Sequence, residues 1–317
     1  MGYGMNGHCG FAFESSGGTP VAAADYIEAL SESLTLNKDR FEVKNIVNRF
    51  SEADDMAGLD RVGGDIVFAG IPGPLGAMLA GVTGIQSNTE VLSGFLHTHT
   101  FTMANADWDT VFAQRPMTFE IFRDVTSSQQ YAGCNIAGLS MNVAPNQALQ
   151  VTASIVGKSM LQLQKTTASF PGSPANPLAF DTCSIEVGGA ATALIEGITS
   201  NIDNQLEGVP SLNNSTTIRA IRRTGPQMFR LSGNIAFEDI TEMENFRNQT
   251  EQQFIISMTR ANSFQFIQDF PRVVYNTFAP VMAGRDRIIV GFEGIARYHS
   301  GSANAGTFKV TNNTSGY

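Results

Sequence analysis

The segment GDIVF (residues 64–68) decides the fold, because a similar segment, GNIAF, recurs at residues 233–237 in a matching local context. Both segments alternate apolar and polar residues, which is the pattern of a half-buried β-strand. Each is followed by a short stretch that favours a helix, GPLGAMLAGVTG (73–84) after the first and DITEMENFRNQ (239–249) after the second. A strand followed by a short helix, present twice in one chain, indicates an internal duplication.

The correspondence extends outwards from these segments in the same order. Beyond the helices, the alternating run MTFEIFRD (117–124) matches FIISMTRA (254–261). Two further pairs share position more than identity: SESLTLN (31–37) with TSNIDNQ (199–205), and LQVTASIVGKS (149–159) with RIIVGFEGIAR (287–297). Each half of the chain is therefore predicted to contain a strand, a long loop, a strand, a helix, a strand, a turn and two more strands.

The fold is expected to be mainly β, because short alternating runs bounded by Gly, Pro, Asn or Asp are typical of antiparallel strands joined by turns. The duplication predicts two tandem antiparallel β-sandwich or barrel domains, each with a short flanking helix. A segment rich in Ser, Thr, Pro and Gly separates the two copies. We therefore place a first domain at residues 1–165, a linker at 166–177 and a second domain at 178–317.

The composition argues against several classes of protein. A chain of 317 residues with 42% hydrophobic and 15% charged residues can bury a core. Its apolar runs are shorter than the roughly 18 residues of a membrane span, and its first residues lack the pattern of a signal peptide. Three scattered cysteines favour free thiols in a reducing compartment. The net charge of −9 disfavours tight binding of nucleic acid through a broad basic surface.

Motifs for catalysis, cofactors or metals are sparse. HTHTFT (97–102) would place His97 and His99 on one face of a strand, but a structural zinc needs about four ligands, so we interpret the segment as a strand of high β-propensity. GYGMNG (2–7) has the G-x-G-x-x-G spacing of a dinucleotide-binding loop without the strand that must precede it. We predict no enzyme activity, no cofactor and no metal site.

Six longer segments carry a family resemblance through their order and spacing. They are FAFESSGGTPVAAADYIEALSESLTLN (11–37), DRVGGDIVFAGIPGPLGAML (60–79), HTHTFT (97–102), PMTFEIFRD (116–124), YAGCNIAGLSMNVAPNQALQVTASIVGKS (131–159) and DFPRVVYNTFAPVMAGRDRIIVGFEGIARY (269–298). Together they resemble the tail tube protein, or major tail protein, of long-tailed (siphovirus-like) bacteriophages. The middle of the second half, residues 205–230, departs from the resemblance.

This resemblance implies a structural virion protein built from β-sandwiches with a flanking helix, whose strands join so that six copies of the fold form a continuous barrel. Stacked rings then form the tail tube, the conduit for genome ejection. Double-stranded DNA passes through it without specific binding, as does the tape-measure protein. The resemblance also implies tail terminator and tip proteins as partners, no membrane, and a location in the virion after a stage in the host bacterial cytoplasm.

The duplication bears on the number of chains in such a ring. Because one chain carries two copies of the fold, three chains would supply six copies and give a ring with pseudo-sixfold symmetry. The alternative is a ring of six chains in which the second half decorates the outside.

Two sets of charged residues are candidates for roles in this assembly. An acidic lumen would repel phosphate, and Glu32 and Asp65 are candidate lumen acids, because their strands flank the first long loop. The two long loops, 39–60 and 203–225, carry opposite charges that we expect to meet in inter-subunit contacts. The residues are Glu52, Asp54 and Asp55 in the first loop and Arg219, Arg222 and Arg223 in the second.

The alternative interpretation is a receptor- or carbohydrate-binding β-sandwich at the tail tip. Such sites usually group aromatic side chains on a surface. Trp108 is the one tryptophan, and the six tyrosines are dispersed along the chain. The sequence therefore favours the tail tube.

Overall fold

The computed structural model of the chain describes residues 2–44, 46, 51, 54–92, 96–103, 115–170, 177–212, 214–260, 264–282 and 284–317. Within these residues there are two α-helices, α1 (Pro72–Thr83) and α2 (Thr241–Arg247), and both begin and end within two residues of their predicted bounds. Strands dominate the rest and pair antiparallel. The prediction of a mainly β fold is confirmed.

The strands fall into two consecutive sets. The first half contains β1 (His8–Phe13), β2 (Asp25–Ile27), β3 (Ala29–Glu32), β4 (Thr35–Glu42), β5 (Asp55–Ala69), β6 (Gly84–Leu92), β7 (Leu96–Met103), β8 (Met117–Phe122), β9 (Ser127–Val143), β10 (Gln150–Gly157) and β11 (Ser159–Gln164). The second half contains β12 (Cys183–Val187), β13 (Ala190–Thr192), β14 (Ile195–Asp203), β15 (Leu206–Val209), β16 (Ala220–Arg223), β17 (Met228–Ala236), β18 (Gln252–Thr259), β19 (Gln265–Phe278), β20 (Ile289–Ala296) and β21 (Thr307–Asn312).

The two halves pair their strands in the same pattern. In the first half, β5 lies between β4 and β10, and β9 pairs with β8, β10 and β11. In the second half, β17 lies between β14 and β20, and β19 pairs with β18, β20 and β21. Likewise, β1 pairs with β2 and β8 as β12 pairs with β13 and β18. The repeat in sequence is therefore also a repeat in topology.

The strand registers correct two of the predicted alignments. Gly64 pairs with Ile155 of β10, and its counterpart Gly233 pairs with Phe292 of β20. The downstream repeat is therefore shifted by one residue from the predicted alignment, and the shift keeps buried residues opposite buried residues. The registers of β4 with β5 and of β14 with β17 likewise shift the upstream repeat by four residues from the predicted alignment. The corresponding upstream segments are SLTLNKD (33–39) and GITSNID (197–203).

One eight-stranded sheet, which we call the main sheet, runs through both halves in the order β4–β5–β10–β9–β14–β17–β20–β19. Each half contributes four neighbouring strands. The halves meet where residues 138–143 of β9 pair with residues 198–203 of β14. We call this pairing the internal junction.

Two smaller sheets complete the sandwich, and the second takes β6 and β7 from the first half of the chain. The first contains β2, β1, β8, β9 and β11, and the second contains β13, β12, β18, β19, β21, β7 and β6. The long strands β9 and β19, of 17 and 14 residues, run from the smaller sheets into the main sheet. Side chains from all three sheets share one buried hydrophobic cluster.

Helix α1 lies inside this cluster because nearly its whole surface is apolar. Leu75, Met78, Leu79 and Val82 are all buried, and the helix ends at a glycine in the left-handed conformation. It contacts both β9 and β21, so residues of both halves enclose it. The two predicted domains thus share one core. Their division at residues 166–177 stays a prediction, and residues 171–176 of this segment lie outside the described residues.

Candidate assembly surfaces

The main sheet ends in two strand edges that have no partner strand in the described part of the chain. At one end, β4 pairs with β5 and its other edge is open. At the other end, β19 stops at Phe278, and residues 279–282 continue without regular secondary structure. An open edge presents a row of N–H and C=O groups to which another strand can pair. Both ends of the main sheet are therefore candidate sites of association.

The internal junction shows the same kind of edge in its paired state. Leu139 and Met141 of β9 and Ile202 of β14 are buried there. At the unpaired end, Val281 is 68% exposed and Met282 is 80% exposed. Apolar surface of this kind favours burial by about 25 cal/mol per Å². Neither residue was singled out from the sequence.

The face of the main sheet that points away from the core is polar, and we call it the open face. Ser, Thr, Asn and Gly predominate on it. One representative from each of six neighbouring strands is Asp65, Ser154, Ser140, Asn201, Ser232 and Glu293. A groove of about 550 Å³ on this face is lined by residues that include Glu293. The groove holds no set of residues arranged for catalysis within the described part of the chain.

The two candidate lumen acids lie on different faces. Asp65 is exposed on the open face, where its Oδ1 accepts a hydrogen bond from Ser154 Oγ at 2.6 Å. Glu32 lies opposite Ile66, whose side chain is in the core. Its carboxylate oxygens accept hydrogen bonds from Nε and Nη2 of Arg123 at 2.6 and 2.7 Å. Glu32 therefore forms an ion pair within the chain on the core side of the sheet, and its assignment to the lumen stays a prediction.

The first long loop (39–60), which we call the acidic loop, continues β4 and β5 as a long hairpin. Arg40 Nη1 donates hydrogen bonds to both carboxylate oxygens of Asp55, at 3.0 and 2.8 Å. Asp54 is exposed beside it, and Glu52 lies outside the described residues. An exposed pair of this kind contributes about 0–1 kcal/mol. Part of the acidic cluster is therefore neutralised within its own hairpin.

The second long loop (203–225), which we call the basic loop, contains a hairpin of β15 and β16. Arg219 and Arg222 are exposed, and Arg222 lies opposite Glu207. Arg223 is half-buried, and its Nη2 donates to Asn204 Oδ1 at 3.3 Å. Burial lowers the pKa of Arg223 to about 10. Two of the three arginines thus present their charge at the surface.

The two loop regions touch within one chain through neutral and acidic groups. Thr216 Oγ1 donates to Asp60 Oδ2 at 2.7 Å, and the Asp60 N–H donates to the Thr216 carbonyl at 2.9 Å. Because Asp60 belongs to β5, the basic loop of the second half is hydrogen-bonded to a strand of the first half. This contact helps to hold the halves in a fixed relation.

The HTHTFT segment is strand β7, as predicted, and it pairs with β21. His99 is buried, its Nε2 lies 2.8 Å from the Thr314 carbonyl, and its ring lies 4.8 Å from the ring of Tyr317. Burial lowers the pKa of His99. Within the described ranges, His, Cys, Asp and Glu form no cluster of three or more that could hold a metal. The buried histidine instead ties β7 to the C-terminal segment.

Comparison with known proteins adds the family. None of the helices in the described residues is long and apolar enough to span a membrane. A search of curated proteins gave no match. The family model described as phage tail tube protein matches residues 4–296, which is nearly the whole chain. With a match over so much of its length, the chain belongs to the phage tail tube protein family.

Proposed function

We propose that this chain polymerises into stacked rings that form the tail tube of a bacteriophage and serve as the conduit for genome ejection. Membership of the tail tube family supports a structural role in the virion tail. The observation that carries the proposal is the internal junction, because it continues the main sheet from one copy of the fold into the next. The same head-to-tail step, repeated between chains, generates a closed ring.

The ring is proposed to contain three chains. Both halves contribute four adjacent strands to the main sheet, so each half behaves as one sixth of the ring. A ring of six chains, with the second half outside, would require the second set of four strands to leave this sheet. The continuous sheet therefore favours pseudo-sixfold symmetry built from three chains.

The open face is proposed to line the lumen. Most of its side chains are small hydroxyls and amides that offer few sites at which DNA could be held, and its carboxylates repel phosphate, although Arg230 is an exposed cation on the same face. Asp65 and Glu293 are exposed on this face and are our lumen acids. Glu32 is not part of the proposal, because its carboxylate is paired with Arg123 on the other side of the sheet. Double-stranded DNA and the tape-measure protein would then pass without specific binding.

The charged loops are proposed to contribute contacts between rings. Arg219 and Arg222 are exposed on one hairpin, and Asp54 is exposed on the other. Each such pair is weak on its own, but the contact recurs in every chain of the ring. Arg223 is excluded, because it is half-buried against Asn204. The rings would be completed at their ends by tail terminator and tip proteins, after the chain is made in the host cytoplasm.

Electron microscopy of the purified protein tests this proposal. Stacked rings or tubes with a central channel are the expected result. Discrete oligomers that do not stack would support the alternative of a tail-tip receptor- or carbohydrate-binding protein. Monomers at all protein concentrations and salt conditions would contradict both self-assembly and the tail tube role.

A further inference from the structure

We propose that β19 grows by four residues when two chains meet: residues 279–282 become strand, and this extension pairs antiparallel with the open edge of β4 in the second copy. The inference rests on the proposed ring and specifies how its chains join. It assigns a role to a segment that has no regular secondary structure in the single chain.

The first half of the chain already contains the completed form of this strand. β9 passes a bulge at Ala137 and continues to Val143, with β10 on one side and β14 on the other. β19 passes a similar bulge at Asn276 but ends two residues later, at Phe278, with β20 on one side. The longer strand is the one that has a partner on both sides. β9 pairs with the next copy of the fold, whereas β19 lies at the end of the chain's main sheet.

The side chains of the two segments support this correspondence. Continuing the pairing of β19 with β20 aligns Leu-Ser-Met (139–141) with Pro-Val-Met (280–282). Met141 is 1% exposed, whereas its counterpart Met282 is 80% exposed. The same residue type is therefore buried at the internal junction and left in water at the unpaired end. A strand from a second copy would remove this difference.

The accepting edge has its own counterpart in the repeat. Thr35, Leu36 and Asn37 of β4 correspond to Thr199, Ser200 and Asn201 of β14 by their registers with β5 and β17. In β14 these residues pair with β9. In β4 the equivalent edge is open in the part of the chain that the structure covers. The second copy is thus the occupant that the repeat predicts for this edge.

Transferring the register of the internal junction specifies the contact. Asn201 lies opposite Ser140, and Ser200 lies opposite Met141. The equivalent contact between chains sets Asn37 opposite Val281 and Leu36 opposite Met282.

Pro280 weakens this segment as a free edge strand. A proline lacks the N–H group that an edge strand would offer, and prolines are used to blunt open edges. The segment therefore has a weakened tendency to pair with wrong partners. Pro280 donates no backbone hydrogen bond in the extended strand either, so extension depends on burial of its neighbours against β4, which couples strand formation to ring closure.

Disulfide trapping in assembled tubes tests the register. A double variant with Asn37→Cys and Val281→Cys places two thiols directly opposite each other across the proposed contact, and side chains so placed are close enough for a disulfide. Oxidation should link chains into covalent trimers on a non-reducing gel. Cys9 and Cys134 do not interfere, because they are buried and burial raises the pKa of each thiol. The background carries Cys183→Ser, which removes the third, half-buried thiol.

Two control variants calibrate the result. Ser140→Cys with Asn201→Cys places the same pair at the internal junction and should form a disulfide within one chain, with no covalent oligomer. Asn37→Cys with Met282→Cys is out of register by one residue, which turns the second thiol to the other face, and should give at least tenfold less trimer. Each variant is first checked for tubes by electron microscopy.

The outcomes separate this inference from the proposed function. Tubes that contain no interchain disulfide, while the internal control forms its own, would overturn the strand extension and leave the tail tube role intact. If the unmodified protein forms neither rings nor tubes, the proposed function itself fails.

A second measurement needs no cysteine. Peroxide should oxidise Met282 at least fivefold more slowly in tubes than in free chains, as read by mass spectrometry. Equal oxidation in both forms would overturn the burial of Met282.

Discussion

Replacement of Met282 by Ala separates assembly from folding. In the single chain the side chain is 80% exposed, so its loss should change the free energy of unfolding by no more than about 0.5 kcal/mol. The matched control is Met141→Ala, which removes the same side chain at the internal junction, where it is 1% exposed. Loss of a buried methionine should lower the free energy of unfolding by about 2–5 kcal/mol.

The effect of Met282→Ala should appear when chains associate. Full burial of a methionine side chain is worth about 1.5–3 kcal/mol. Since 1.4 kcal/mol is a factor of ten in an equilibrium constant, the dissociation constant of each junction between chains should rise by about 10- to 150-fold. Because three such junctions close a ring, the substitution should weaken ring formation more than it weakens any single junction.

Two assays measure the two effects. Urea titration of the unassembled protein gives the free energy of unfolding, and sedimentation gives the protein concentration above which tubes appear. We expect Met282→Ala to unfold like the unmodified chain and to need a much higher concentration to assemble. The reasoning is refuted if Met282→Ala assembles at the unmodified concentration, or if it destabilises the single chain as much as Met141→Ala does.

Three further predictions concern the charged residues. Arg123→Met removes two of the three hydrogen bonds that the partly buried Glu32 carboxylate accepts, so the free energy of unfolding measured in urea should fall by about 1–3 kcal/mol; a loss below about 0.5 kcal/mol would contradict a stabilising ion pair. Asp65→Lys should leave tube formation unchanged and slow DNA release from virions at low salt, where screening is weakest; unaltered release there would argue against its lumen position. Arg219→Glu combined with Arg222→Glu should shorten tubes at low salt and Asp54→Lys should partly restore their length, whereas normal length in the arginine variant would exclude the contact between rings.

The sequence was sufficient for features that depend on local pattern. The GDIVF and GNIAF strands and the helix at Pro72–Thr83 were all predicted, because alternation and helical spacing are properties of neighbouring residues. Strand register is different, because it depends on the partner strand. The predicted match for residues 31–37 was therefore displaced by four positions, since two short polar strands can be aligned in several ways.

The candidate site was predicted less completely, and for the same physical reason. Asp65 and Glu32 looked equivalent as acids near one loop, yet pairing with Ile66 and Arg123 turns Glu32 toward the core side. Glu293, which we propose for the lumen, was not among the predicted acids, because nothing in a single strand indicates which face a closed ring would enclose. The exposed Met282 became visible only when its buried counterpart was known, since association surfaces are defined by what a fold leaves uncovered.

The most direct test of the account is a cross-section of the assembled tube by cryo-electron microscopy. We predict three chains per ring, six similar β units around the channel, and the open face with Asp65 and Glu293 toward the lumen. Native mass spectrometry of a released ring should give three times the chain mass of 34.0 kDa. A ring of six chains, with the second half outside the barrel wall, would contradict the central claim.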